Sequence, residues 1–172
     1  SSNPLGICLR LITIENAGAV NIIYGSANGL SATDTTVPAS QILRQRPGPP
    51  TVEAHFGTAL AAGDFNGDGF SDLAVATPGD IDSQGARVGS VRVFYGSSTG
   101  LSVLQSQTFH ASDFPLDGTE LFGTRLTFPE SMSLVWGDFD GNTVGDLVIE
   151  AGNGLVILLF GIRNELLSVA NR

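Results

Sequence analysis

The feature that most restricts how this chain can fold is a stretch that recurs three times with the same ending. Val20-Asn21-Ile22-Ile23-Tyr24-Gly25, Val91-Arg92-Val93-Phe94-Tyr95-Gly96 and Val156-Ile157-Leu158-Leu159-Phe160-Gly161 each close on an aromatic residue and a glycine, 71 and then 65 residues apart. After the first two comes Ser-x-x-Gly-Leu, at Ser26–Leu30 and Ser97–Leu101. Matched landmarks at a near-fixed period mean one supersecondary unit used repeatedly. Such units stack, because none buries its apolar face alone.

Each unit reads as short strands joined by tight turns. Leu73-Ala74-Val75-Ala76 and Leu147-Val148-Ile149 are β-favouring runs, followed across glycine-containing turns by Val88–Tyr95 and Leu155–Phe160, which predicts hairpins. Ile7–Ile14 and Ala19–Tyr24, across Glu15-Asn16-Ala17-Gly18, have the same shape, and Ser102–His110 is the outer, more polar strand of the middle unit. Nowhere does a 3.6-residue apolar period persist, so the fold class is all-β. Glu165–Ala170 reads equally as a last strand or a helical turn. Ser31–Pro50, rich in Ser, Thr and Pro, predicts an outer strand and then a rigid extended connection. Phe128–Leu134 reads as an insertion, since Gly123 stands 14 residues before Gly137 where Gly57 stands 6 before Gly63. The chain then divides into a partial unit with its connection (1–50), a complete unit (51–118) and a further unit with the 128–134 insertion and a tail (119–172).

Two acidic loops occupy matching places in the repeats. Asp64-Phe65-Asn66-Gly67-Asp68-Gly69-Phe70-Ser71-Asp72 and Asp138-Phe139-Asp140-Gly141-Asn142-Thr143-Val144-Gly145-Asp146 each carry oxygen-bearing side chains at positions 1, 3, 5 and 9. Alternate spacing in a tight loop turns these oxygens toward one centre, and position 7 (Phe70, Val144) offers a backbone carbonyl. Hard oxygen ligands in a flexible loop suit Ca²⁺, whereas Mg²⁺ sheds its waters reluctantly. Two carboxylates about 4 Å apart repel by roughly 1 kcal/mol in water and about 4 kcal/mol at an effective dielectric of 20. A cation turns that repulsion into coordination. Asp, Asn and Gly also build ordinary polar turns, but two such loops at equivalent places, each running into a strand, favour the ion. The second loop departs at position 6, with Thr143 where a glycine turns most easily. Neither is an EF-hand, because position 12 is Val75 or Ile149 and strands follow.

Phe56-Gly57 and Phe122-Gly123, each followed by a Gly-Asp-Phe acidic loop and Asp-Leu, resemble FG-GAP repeats, which occur in integrin α-subunit heads and many bacterial secreted proteins. The resemblance covers about Ala17 to Gly161. It implies that each repeat is a four-stranded β-propeller blade whose acidic loop, between its first two strands, holds Ca²⁺. Carried over, the ligands of one site are Asp64, Asn66, Asp68, Phe70 and Asp72, and those of the other are Asp138, Asp140, Asn142, Val144 and Asp146. Departures from the pattern are Ala76-Thr77-Pro78 and Glu150-Ala151-Gly152 in place of Gly-Ala-Pro. The first unit lacks Phe-Gly and acidic loop alike, so no metal is expected there. Two to three blades form an incomplete propeller, which calls for further blades, a ring of copies or an open chain of copies, with Leu5–Ile14 available to add a strand to a neighbour.

Composition narrows the function. With 17 acidic against 8 basic residues and a formal charge of −9, the surface repels phosphate backbones and anionic membranes. Nucleic acid is not an expected partner; other copies, further blades, or a cell-surface or matrix protein or glycan are. Cys8 is the single cysteine and reads as a small buried hydrophobe. The longest apolar run, Leu155–Phe160, is too short to span a bilayer, and no secretion signal opens the chain, so any signal has been removed or was never present. His55 and His110 read as structural or solvent-facing, Trp136 as core with sugar stacking open to it if it lies at a rim, and no catalytic motif occurs. The expectation is an extracellular, non-catalytic, calcium-binding module for adhesion or interaction. The alternatives are a structural subunit that polymerises and a calcium-dependent lectin.

Overall fold

The computed structural model describes residues 16–26, 29–30, 38–45, 51–81, 85–110, 113–114, 132–151 and 155–167. Among these the chain runs β1 (Val20–Ile22), β2 (Gly25–Ser26), β3 (Gly29–Leu30), β4 (Gln41–Leu43), β5 (Leu60–Gly63), β6 (Asp72–Thr77), β7 (Ser90–Phe94), β8 (Ser106–His110), β9 (Met132–Gly137), β10 (Asp146–Ala151) and β11 (Leu155–Leu159). All pairings are antiparallel. They form a four-stranded sheet β5-β6-β7-β8, a three-stranded sheet β11-β10-β9, the pair β1-β4 and the short ladder β2-β3. The fold is all-β, as expected, and the four-stranded sheet is a complete blade.

The period-2 alternation of the strands explains the stacking. On β6, Leu73 and Val75 face one way and join Val20, Leu43, Phe56 and Phe94 in a core shared with the first unit. Ala74 and Ala76 face the other way, into a larger core with Phe65, Val91, Leu147 and Ile149 shared with the last unit. Both faces of β6 are therefore covered, and every one of its residues is buried. Phe56, the aromatic half of the Phe-Gly landmark, meets the Phe94 ring edge-on at 6.3 Å. At roughly 25 cal/mol per Å² of apolar surface removed from water, these two cores dominate the stability of the stack.

A second device joins consecutive units. Leu101 N–H donates to Tyr24 Oη (2.8 Å), Tyr24 Oη donates to Gln41 Oε1, and Gln41 Nε2 returns to Leu101 O (3.0 Å). The next pair of units repeats this with Leu167 N–H to Tyr95 Oη (2.9 Å), Tyr95 Oη to Gln107 Oε1, and Gln107 Nε2 to Leu167 O (3.2 Å). The tyrosine of each Tyr-Gly landmark thus holds the backbone of the following unit. Burial pushes the Tyr95 phenol up to about 12, and the Leu167 N–H opposes that shift.

Some expectations change. Within the described residues Ala19–Tyr24 pairs through β1 with β4, and Ile7–Ile14 lies outside them, as do Cys8, Phe122-Gly123 and residues 31–37 and 46–50. The 128–134 insertion does not reach its expected end. Leu134 opposes Ile149 inside β9–β10 as Leu60 opposes Val75 inside β5–β6, because Met132 and Leu134 alternate onto the apolar face. The chain turns at residues 163–165, and Leu167 is buried.

The outer face of the last sheet is left uncovered by any described residue. Val135, Val156 and Leu158 are exposed at positions equivalent to Ala61, Val91 and Val93, which lie in the core between the middle and last units. Phe139 is exposed where its counterpart Phe65 is fully buried.

Candidate metal centres between consecutive blades

Both acidic loops join the first two strands of their sheets, β5 to β6 and β9 to β10. Their backbones are bent in the same way. Position 4 is left-handed at Gly67 (φ 67°) and Gly141 (φ 80°), and position 6 is left-handed at Gly69 (φ 91°) and Thr143 (φ 70°). A β-branched residue at such a φ is a genuine outlier. The second loop holds the curl of the first in spite of its side chain.

The hydrogen bonds match position by position. The position-1 carboxylate takes the amides of positions 5 and 6 in each loop: Asp64 from Asp68 N (3.1 Å) and Gly69 N (2.9 Å), Asp138 from Asn142 N (3.0 Å) and Thr143 N (2.9 Å), with Gly141 N (2.7 Å) a third donor to Asp138. Position 5 accepts from position 7, at 2.8 Å from Phe70 N to Asp68 Oδ1 and 2.7 Å from Val144 N to Asn142 Oδ1. Position 3 accepts from position 5, Asn66 Oδ1 from Asp68 N and Asp140 Oδ1 from Asn142 N, both at 3.1 Å.

Position 9 is a buried clamp. Asp72 Oδ2 accepts Phe65 N–H (2.8 Å) and its Oδ1 accepts Gly96 N–H (2.7 Å). Asp146 Oδ2 accepts Phe139 N–H (2.6 Å) and its Oδ1 accepts Gly161 N–H (2.9 Å). This accounts for Gly96 and Gly161 of the repeated ending, each of which brings its N–H against the carboxylate where no side chain fits. A Cβ on Gly96 would lie 2.4 Å from Ser71 O, and one on Gly161 would lie 2.2 Å from Gly145 O. Burial pushes the Asp72 carboxyl up to about 6 against the pull of the Gly96 and Phe65 N–H groups, and the charges of Asp68 and Asp64 add to the rise.

The donor set fits a hard divalent cation. It consists of carboxylate, amide and main-chain oxygens, with neither thiol nor imidazole in either loop. One oxygen each from Asp138, Asp140 and Asp146 lies within 4.8 Å of the others, the one acidic trio among the described residues to converge so closely. In the first loop the acids stand at positions 1, 5 and 9, with Asn66 at position 3.

The loops touch each other. Gly145 N–H donates to Asp64 O (2.8 Å), Asn164 N–H to Asn66 O (2.6 Å), and Arg163 reaches Gly67 O (Nη1, 3.0 Å) and Thr143 Oγ1 (Nη2, 3.2 Å). Beside them lies a cleft of about 450 Å³ lined by Asp64, Ser71, Asp138, Thr143 and Trp136. Trp136 is not core. It is 53% exposed at the rim of this cleft, and its ring lies over Gly63, where a Cβ would be 2.9 Å from it. Sequence reasoning also passed over Gly96, Gly161 and Arg163 as parts of the site. The repeated aromatic-glycine ending was the signal for the first two; nothing local marks Arg163.

Elsewhere the histidines form no catalytic arrangement among the described residues. His55 Nε2 lies 3.1 Å from Glu53 Oε2 and His110 Nε2 lies 3.9 Å from Asp80 Oδ2. Ser90 Oγ donates to Asp80 Oδ2 (2.7 Å). No helix among the described residues is long and apolar enough to cross a membrane.

Comparison with known proteins agrees with this architecture. Residues 56–94 match the FG-GAP repeat model. Over 83 residues the chain is 44% identical to mouse phosphatidylinositol-glycan-specific phospholipase D, covering 48% of the chain and 9% of that protein. It is 37% identical over 123 residues to integrin alpha-PS3 of Drosophila melanogaster, covering 70% of the chain and 10% of the integrin. Integrin alpha-3 of Cricetulus griseus aligns over 166 residues at 25% identity, 90% of the chain and 15% of the integrin. The chain therefore spans only about a tenth of the length of such relatives. By its matched repeat, its stacked blades and these relatives, the chain belongs to the FG-GAP repeat family of the integrin α-subunit propeller type.

Proposed function

We propose that this chain is an extracellular, calcium-binding propeller module that acts in adhesion or protein interaction and carries out no catalysis. The observation behind this reading is the hydrogen-bond pattern shared by the two loops, with the Asp138, Asp140 and Asp146 carboxylates converging in the second and oxygen-only donors in both. Asp64, Asn66, Asp68 and Asp72, with the Phe70 carbonyl, would hold one Ca²⁺. Asp138, Asp140, Asn142 and Asp146, with the Val144 carbonyl, would hold the other. The ion supplies positive charge where carboxylates crowd; the chain's own part is to fix the loops between the first two strands of each blade. Isothermal titration should find two Ca²⁺ per chain, one after Asp64→Ala with Asp68→Ala, and one after Asp138→Ala with Asp140→Ala. A stoichiometry that neither pair alters would count against the reading.

A second reading is favoured by the uncovered outer face. Val135, Val156 and Leu158 repeat the pattern that the middle blade buries against its neighbour, so the surface suits another blade, from the same polypeptide or another copy. In this reading the chain is a structural subunit that assembles into a ring or fibre. Sedimentation of the pure chain in calcium should then show concentration-dependent association, and a stable monomer would eliminate it.

A further inference from the structure

We infer that the two loops bind their ions cooperatively, and that Arg163 is the positioning residue through which each senses the other. The inference rests on the calcium reading above, but it concerns residues that contribute no ligand. Three bonds run from the last blade to the first loop. Asp64 O accepts Gly145 N–H, Asn66 O accepts Asn164 N–H, and Gly67 O accepts Arg163 Nη1. The same guanidinium donates through Nη2 to Thr143 Oγ1, at the left-handed position of the second loop. Van der Waals contact adds a fourth link. A Cβ on Gly67 would meet Val144 Cγ2 at 3.0 Å and Arg163 Cα at 3.3 Å, so position 7 of one loop packs on position 4 of the other.

Neither loop can therefore change its curl alone. Ordering one sets the carbonyls of Asp64, Asn66 and Gly67 against their partners, and the partners lie in or next to the second loop. The turn that carries Arg163 is itself fixed by Gly161 N–H on Asp146. A first ion orders both loops, and a second finds less ordering left to do, which is positive coupling. Two cations in neighbouring loops repel, and the Arg163 charge repels both. Removing that charge would by electrostatics alone strengthen each site, so affinity and coupling respond to Arg163 in opposite directions.

The test is calcium titration of the full chain and its variants by calorimetry. The product of the two stepwise association constants is compared with the product from the two single-loop variants, Asp64→Ala/Asp68→Ala and Asp138→Ala/Asp140→Ala. We expect the intact chain to exceed the single-loop product about fivefold or more, within the usual range of such couplings. Arg163→Lys keeps the charge but cannot reach both acceptors in one plane, and it should lower the ratio about twofold or more, the main-chain bonds of Gly145 and Asn164 carrying what remains. A ratio near one in the intact chain overturns the coupling while leaving two calcium sites standing. A ratio unchanged by Arg163→Lys and Arg163→Ala removes Arg163 from it. If no loop binds calcium, the functional reading falls and the coupling with it.

Discussion

Replacing Gly96 by alanine is expected to destabilise the chain by about 3–5 kcal/mol, the range of a steric clash in a packed site combined with loss of a buried charged hydrogen bond. The new Cβ would stand 2.4 Å from Ser71 O and 3.0 Å from Ser71 C and Phe70 Cβ. Ser71 is the residue before Asp72, so relieving the clash pushes the start of β6 away from the turn. That breaks Gly96 N–H to Asp72 Oδ1 at 2.7 Å, and a half-partnered buried carboxylate costs more than a neutral group would. At about 2–4 °C per kcal/mol for a chain of this size, the melting temperature should drop by roughly 10 °C. Gly69→Ala is the control. Its φ of 91° is positive, unlike that of Gly96, but a Cβ there meets nothing within 4 Å, so backbone strain alone should cost about 1–2 kcal/mol. Equal losses for the two variants would show that the glycine and carboxylate clamp contributes nothing.

The other large effect is that of the ion. In calcium at about 100 times the dissociation constant, each site adds about 2.7 kcal/mol to stability, so two sites add roughly 5 kcal/mol. Moving the chain from millimolar calcium to EDTA should then lower its melting temperature by about 10–20 °C. Asp64→Ala with Asp68→Ala should remove about half of that response, and adding the second-loop pair should remove the rest. The melting temperature of the quadruple variant in calcium would lie near that of the parent in EDTA. Identical melting curves for the parent with and without the chelator would dismiss a structural ion.

Much of this was legible in the sequence, for a physical reason. Strands advertise themselves through period-2 alternation, and repeats do so through matched glycines, so β6, β7, β10 and β11 fall within a few residues of their expected places. The acidic loops were legible too, because their chemistry is local, within nine residues. What the sequence hid depends on which residue lies across a gap. Trp136, between Val135 and Gly137, has the surroundings of a core residue, yet its ring lies over Gly63 of the neighbouring sheet and stays 53% exposed. Leu167 bonds to Gln107 and Tyr95, and Arg163 to Gly67, across 60 to 96 positions, and no local pattern reports such a partner. Phe128–Leu134 was misjudged at its end for a related reason. Glycine spacing locates an insertion but cannot say where inside it the strand resumes, and that was decided by Met132 and Leu134 turning onto the apolar face.

The clamp at position 9 also divides each blade into two ends with different freedom to vary. It ties β6 to the turn after β7, and β10 to the turn after β11, entirely at the end that carries the acidic loops. The hairpins at the far end are unequal, residues 78–89 in one blade and 152–154 in the other, yet the strands keep their pairing. Changes of length or sequence on that rim should therefore leave the anchored half of the molecule undisturbed.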